Sequence, residues 1–305
     1  CGIERYRGIE ENPADVKAAE KMAKLHDEIR AYNEFSSNND LHELNLFMTR
    51  LLFCYFAEDT GIFEDNLFTG SIVRYTQEDG SDLSDYLATA FEVMDKSVRI
   101  DVASIFAQFP YVNGGLFSKR INIPKMGRRA RKLIIECGEL NWKDINPDIF
   151  GSMIQAVVSP SQRGSLGMHY TSVPNIMKVI QPLFLDDLYE AYTNSKDNAK
   201  KLRQLLVRIS KMKFFDPACG SGHILLEGFE LLLKMYQEAG YTLSQSIEAI
   251  FLKNLIGIEL DTRAKQLSMF ALLLKACQYD NSFADVHVLP RVIDMPHVDA
   301  YTWRD

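Results

Sequence analysis

From Lys213 to Leu226 the chain reads Lys-Phe-Phe-Asp-Pro-Ala-Cys-Gly-Ser-Gly-His-Ile-Leu-Leu: an apolar strand start, an acidic residue, a glycine-bearing bend and an apolar helix. A strand–loop–helix unit of this kind forms a ligand cradle at the carboxyl end of a parallel strand. Glycines at 220 and 222 let the backbone close on a ligand with no Cβ in the way. A phosphate-binding P-loop requires Lys and then Ser or Thr after its last glycine. His223 and Ile224 stand there instead, which excludes that reading. A dinucleotide fingerprint wants a third small residue for helix–strand packing. Leu225 occupies that place, so NAD is disfavoured. Asp216, at the strand end, suits a ligand carrying positive charge. S-adenosylmethionine, with a sulfonium and an ammonium, has that character.

A second acidic residue, Glu259, closes the apolar run Leu255-Ile256-Gly257-Ile258, 37 positions after Gly222. Acidic residues at the end of a second strand accept ribose hydroxyls, usually about 20 residues after the glycines. An additional helix, expected over 244–252, fills the longer interval. The alternative for Glu259 is a surface carboxylate at a strand end. Upstream lies Gly167-Met168-His169-Tyr170-Thr171-Ser172, followed by Val173 and Pro174. Taken alone, Thr or Ser before a Pro is simply a helix start.

Asp216-Pro217-Ala218-Cys219-Gly220-Ser221-Gly222 resembles, nearly letter for letter, the first motif of the N6-adenine DNA methyltransferases. The resemblance implies that these seven residues bind S-adenosylmethionine. It also implies that Glu259 holds the ribose, with Leu260 and Asp261 near the adenine. The 167–172 stretch is similar to the motif that touches the methionine moiety in that family. Tyr170 would cover the sulfonium by cation–π attraction, and Thr171 would meet the carboxylate at a helix N-terminus. Its place ahead of the cradle resembles the γ arrangement of amino-methyltransferases. In adenine methylation the base is flipped into a pocket. The family orients its exocyclic amine with an Asn/Asp-Pro-Pro-Tyr/Phe loop, and no such tetrapeptide occurs here. Asn146-Pro147-Asp148-Ile149 lacks the second Pro and precedes the cofactor loop. No catalytic residue is therefore assigned, and the chain by itself is expected to bind cofactor weakly and methylate nothing.

The elements that must position these residues follow from pattern. Amphipathic spacing predicts a helix over 13–32 and a more apolar one from about Leu41 to Asp59, with Asn38, Asn39 and Asp40 offering caps. Shorter helices are expected over 84–94, 102–108, 127–135 and 147–157, so that about the first 140 residues read as all-α. Further helices are expected over 174–192, 197–209, 223–239 and 262–277, with strands at Phe214, at 255–260 and at 286–289. Alternating strands and helices imply a parallel sheet. Leu51 to Phe63, together with Phe109 to Phe117, is similar to the helical connector of the MmeI-like enzymes. In these single-chain type II restriction–modification proteins a nuclease, a helical spacer, a methyltransferase and a DNA-recognition region are fused.

The expected organisation is thus a helical spacer over 1–145 and, over 146–305, the S-adenosylmethionine-binding first part of a Rossmann-like methyltransferase sheet. The resemblance implies double-stranded DNA as substrate, with the nuclease and target-recognition regions outside these residues. A chain starting at Cys1 reads as a piece of something longer. Rival readings are a stand-alone phage-defence methyltransferase and a non-enzymatic scaffold with a vestigial cofactor fold. The loss of the catalytic loop leaves adenine N6 and cytosine N4 undistinguished.

Composition sets the outer bounds. The chain has 305 residues, 47% hydrophobic and 25% charged, which is ordinary for a globular protein of about two domains. A net charge of -7 argues against a wholly basic clamp without excluding local basic stripes. Five scattered cysteines without a C-x-x-C pair fit a reducing cytoplasm, and no apolar run is long enough for a membrane span. Lys125, Arg128, Arg129, Arg131 and Lys132 form a basic cluster that either faces phosphate or is a solvated helix face. Asp15-Val16-Lys17 has a nuclease-like spacing without a β context, and Glu58-Asp59 fits a structural turn better than a metal site. No metal ligands are assigned: His26, His42, His287 and His297 have no partner at ligand spacing, and His223, just after the cradle, either lines it or meets solvent.

Overall fold

The computed structural model describes residues 13–112, 115–146, 173–260, 262–280 and 288–294. The chain divides into two compact units, Cys1–Ser165 and Leu166–Asp305.

In the first unit the described residues form helices α1 (Pro13–Tyr32), α2 (Asn38–Asp59), α3 (Phe68–Tyr75), α4 (Leu83–Met94), the single turn α5 (Ser104–Ala107) and α6 (Arg128–Gly138). A 3-10 turn follows at Trp142–Asp144. Helix α1 has the expected bounds, because Ala18, Met22, Leu25 and Ile29 recur at helical spacing and are all buried. Helix α2 starts three residues earlier than the pattern predicts. Ser37 and Asp40 form a reciprocal capping box, in which Ser37 Oγ accepts the Asp40 N–H at 3.1 Å and the Asp40 carboxylate accepts the Ser37 N–H at 2.9 Å.

The all-round apolarity of α2 has the expected consequence: Phe47, Leu51, Cys54, Tyr55 and Phe56 are buried. Trp142 stacks on Tyr55 with ring centroids 5.4 Å apart, and its indole N–H donates to the Cys137 carbonyl at 2.9 Å. Arg50, which interrupts the apolar run, is buried with it. Its guanidinium donates to the carbonyls of Leu116 and Lys119 at 3.0 and 2.5 Å and lies 5.4 Å from the Phe117 ring centroid. That ties the segment around Phe117 to α2. Helix α3 has no counterpart among the sequence expectations. Its Thr69, Gly70 and Ser71 are poor helix formers. The Glu58 carboxylate supplies what propensity does not, accepting the Thr69 N–H at 3.0 Å and its hydroxyl at 2.6 Å.

In the second unit the order is α7 (Val173–Ile180), a π turn (Gln181–Leu185), α8 (Asp186–Thr193), α9 (Ala199–Lys211), β1 (Phe214–Asp216), α10 (His223–Glu238) and α11 (Leu243–Ala249). A second π turn (Ile250–Asn254), β2 (Leu255–Glu259), α12 (Thr262–Tyr279) and β3 (Val292–Asp294) complete it. The helix expected over 174–192 is broken into a wider turn at Pro182, which lacks the N–H an α-helix needs there. The three strands pair in parallel in the order β1-β2-β3, with Phe215 opposite Ile256 and Ile258 opposite Ile293. This is the expected α/β architecture, a helical region followed by a small Rossmann-like parallel sheet.

The third strand lies later than 286–289. Pairing is made at Val292, where the Gly257 N–H donates to the Arg291 carbonyl at 2.9 Å, while Val288 and Leu289 carry no strand. At three residues β3 is too short for the apolar period to locate, and unlike β1 it has no adjoining glycine-bearing motif to mark its place. The helix expected over 147–157 lies outside the described residues.

Candidate functional site

The cradle is built by three elements meeting at the carboxyl ends of β1 and β2. Helix α10 lies close on the sheet because two small residues let it. A Cβ at Gly228 would come within 2.8 Å of the Phe214 ring, and one at Gly257 within 2.8 Å of Leu225. Phe214 also packs against Phe184, edge to face with ring centroids 4.7 Å apart. Between β1 and α10 the chain bends through Gly220 and Gly222, both at positive φ (54° and 88°). Gly222 is also the N-terminal cap position of α10, and a Cβ there would run into Ser268 Oγ of α12.

The bend is suspended from the end of β2. The Cys219 N–H donates to the Ile258 carbonyl at 3.0 Å, and the Gly220 N–H donates to the Glu259 carboxylate at 2.7 Å. Gly222 N–H closes the turn on the Cys219 carbonyl at 2.8 Å. Asp216 is buried, and its carboxylate accepts the Ala218 N–H at 3.1 Å. Burial raises the Asp216 pKa above the ordinary carboxylate range, and the nearby Glu259 carboxylate raises it further. The Cys219 thiol is pushed up to about 12, by burial and then by Asp216, so it is a packing group rather than a nucleophile. Ser221 is 2% exposed, and its hydroxyl has no hydrogen-bond partner among the described residues. Two acidic side chains, a loop that side chains would obstruct and a buried hydroxyl thus converge at one end of the sheet.

Of the residues singled out from sequence, Asp216, Pro217, Ala218, Cys219, Gly220, Ser221, Gly222 and Glu259 come together here. Leu260 follows β2 and is 65% exposed. Tyr170, Thr171 and Asp261 lie outside the described residues. Ser268 was not anticipated. It is fully buried, 4.0 Å from Cys219 Sγ and directly behind Gly222. The signal was available in principle, as the single hydroxyl in the Leu267–Leu274 stretch of α12.

The carboxylates of the two other acidic motifs marked in the sequence serve structure. Asp15 accepts the Asn146 N–H at 2.9 Å, and Asp59 accepts the Trp142 N–H at 2.6 Å. Among the described residues no three His, Cys, Asp or Glu side chains gather as metal ligands. The basic cluster of α6 is largely answered by carboxylates. Arg128 faces Glu78 at 3.6 Å, Arg129 faces Glu28 at 3.1 Å and Lys132 faces Glu136 at 3.7 Å, while Arg131 is bonded to the Thr76 hydroxyl at 2.8 Å. No helix among the described residues is long and apolar enough to cross a membrane.

Comparison with known proteins gives matches in both units. Residues 42–117 match the family model described as the MmeI helicase spacer domain, and residues 192–296 match the MmeI DNA-methyltransferase domain. DNA methyltransferase A of Bacillus subtilis (strain 168) is 47% identical over 294 residues, covering 94% of this chain and 33% of that protein. The adenine-specific methyltransferase BrxX of Escherichia coli O9:H4 (strain HS) is 37% identical over 190 residues, covering 52% of this chain and 16% of that protein. A solved structure of the Type IIL restriction–modification enzyme MmeI in complex with DNA superposes with a TM-score of 0.74 at 33% identity, covering 96% of this chain and 42% of that one. The chain therefore spans about a third of the length of the Bacillus relative.

Proposed function

The chain is MmeI-like in both its helical spacer and its methyltransferase part, and from that premise we propose that it is the spacer and cofactor-binding portion of a DNA methyltransferase. The reaction is transfer of a methyl group from S-adenosylmethionine to the N6 amino group of adenine in double-stranded DNA. The nuclease, the catalytic loop and the target-recognition region belong to the remainder of the whole protein. Names of relatives that specify DNA and adenine support this reading.

One observation carries the cofactor assignment: the 216–222 loop is hung from the end of β2, so that the Asp216 and Glu259 carboxylates share one end of the sheet. A buried carboxyl with a raised pKa is costly to ionise, and a ligand with two positive centres offsets that cost. When bound, S-adenosylmethionine supplies an electrophilic methyl group on its sulfonium. The residues of this chain bind and orient it. Asp216 meets the positively charged end, Glu259 the ribose, and the backbone of Pro217–Gly222 the adjoining face, with Leu260 and Asp261 beside the adenine. Tyr170 and Thr171 complete the methionine end.

Calorimetric titration of S-adenosylmethionine into the whole protein tests this, with Asp216→Asn and Glu259→Gln beside it. Saturable binding weakened by at least about tenfold in each variant, or ~1.4 kcal/mol, is expected. Equal binding in all three proteins would remove both roles. Nucleoside analysis of methylated duplex would then separate N6-methyladenine from N4-methylcytosine.

A further inference from the structure

We infer that helix α9 is a docking surface for the phosphate backbone of duplex DNA, distinct from the cofactor loop. Between Lys196 and Lys213 stand seven basic residues against one acidic, Asp197, in a chain whose net charge is -7. On the helix itself Lys200, Arg203, Arg208 and Lys211 fall on one side at 100° per residue, and all four are exposed. The opposite side carries Leu202, Leu205, Leu206 and Ile209, of which Leu205 and Ile209 are buried. The four cations span roughly 16 Å of helix at ~1.5 Å per residue. Each strand of duplex DNA presents a phosphate charge every ~3.4 Å of the helix axis, about five over that length, so one backbone can engage all of them.

Helix α6 provides the internal contrast. Its exposed cations Arg128, Arg129 and Lys132 are each matched by a glutamate, as solvated helix faces commonly are. None of the four on α9 is ion-paired among the described residues. The helix is also held in place. Asn198 caps its start, accepting the N–H groups of Lys200 and Lys201 at 3.1 Å each. The buried Asn254 side chain donates to the Ile209 and Met212 carbonyls at its end, at 2.9 Å each. A fixed rod of unpaired cations in an acidic protein fits a polyanion, and arginines suit bidentate phosphate contact. The choice of duplex DNA rests on the function proposed above.

The whole protein is titrated with a fluorescein-labelled duplex of arbitrary sequence, about 30 base pairs long, over a series of KCl concentrations. Beside it stand the quadruple variant Lys200→Gln/Arg203→Gln/Arg208→Gln/Lys211→Gln and an α6 variant, Arg128→Gln/Arg129→Gln/Lys132→Gln. The α9 variant is expected to reduce the slope of log affinity against log salt by about 3–4, with Kd at low salt rising at least tenfold. The α6 variant should change the slope by less than about 1. Melting temperature and S-adenosylmethionine titration should be unchanged in both. Two double variants, Lys200→Gln/Lys211→Gln and Arg203→Gln/Arg208→Gln, each losing about 2 in slope, carry the test if the quadruple variant is unstable. Duplex binding with an unaltered slope in the α9 variants overturns the surface and leaves the methyltransferase reading standing. So does equal binding and equal loss with an RNA hairpin, which would make the occupant a polyanion other than DNA. Absence of any duplex binding by the wild type overturns both.

Discussion

Burial raises the pKa of the Asp216 carboxyl, and the Glu259 carboxylate adds to the effect. In the unfolded chain the same group titrates near ~3.9. A carboxyl whose folded pKa is the higher one costs stability as pH climbs from the unfolded value through the folded value, and above that the cost is complete. Binding of a cation at the loop has the opposite sign, because it favours the ionised form. Affinity for S-adenosylmethionine should therefore rise with pH through the raised Asp216 pKa and level off above it, with a proton released on binding. In Asp216→Asn, which keeps an acceptor for the Ala218 N–H, this pH dependence should disappear. The ligand-free variant should melt no lower than wild type at neutral pH, while its ligand-induced rise in melting temperature is lost. Calorimetry in buffers of different ionisation enthalpy reads the proton directly. A variant that retains wild-type pH dependence would mean that another group carries the charge.

At the scale of elements, most of what positions the loop was legible because it repeats at a fixed period. Helix α1 spans the residues its apolar spacing marks out, and β1, β2 and α10 fall within a residue or so of expectation. The misses are elements whose definition comes from elsewhere in the fold. Helix α3 is started by a carboxylate from α2, and β3 is a three-residue strand fixed by pairing with β2. The α9 charges escape a search for short basic runs because leucines stand between them, and only the helix gathers them on one side. Asn254 is the clearest long-range case. It is 0% exposed, donates to two carbonyls at the end of α9 and accepts the Tyr236 hydroxyl at 3.0 Å. It thereby locks α9 and α10 to the residue before β2. Asn254→Ala leaves those buried groups unsatisfied and should cost about 2–4 kcal/mol in urea denaturation. Hydrogen exchange should quicken over the last turn of α9 before the rest of the unit. A loss under ~1 kcal/mol would mean that water takes over the Asn254 bonds.

For the whole molecule, the sheet poses a question that, among the described residues, helices answer on one face only. Parallel sheets are as a rule covered on both faces. Residues opposite one another in a parallel pair point the same way, so Phe215, Ile256, Ile258 and Ile293 share a face. Helix α10 packs on the other, against Phe214 and Gly257. Right-handed crossovers in the strand order β1-β2-β3 place α12 on that same side. The second face is apolar and open at its edges, with Phe215 55% and Ile293 45% exposed. An apolar patch of this kind should bind the dye ANS. The 305-residue chain is accordingly expected to enhance ANS fluorescence strongly, and Phe215→Ser/Ile293→Ser to reduce the enhancement severalfold with far-ultraviolet circular dichroism unchanged. Both side chains lie on the face opposite the α10 packing, so a fall in helix content would be unexpected and thermal melting would reveal it. Equal dye binding by both proteins would mean that the face is covered in solution.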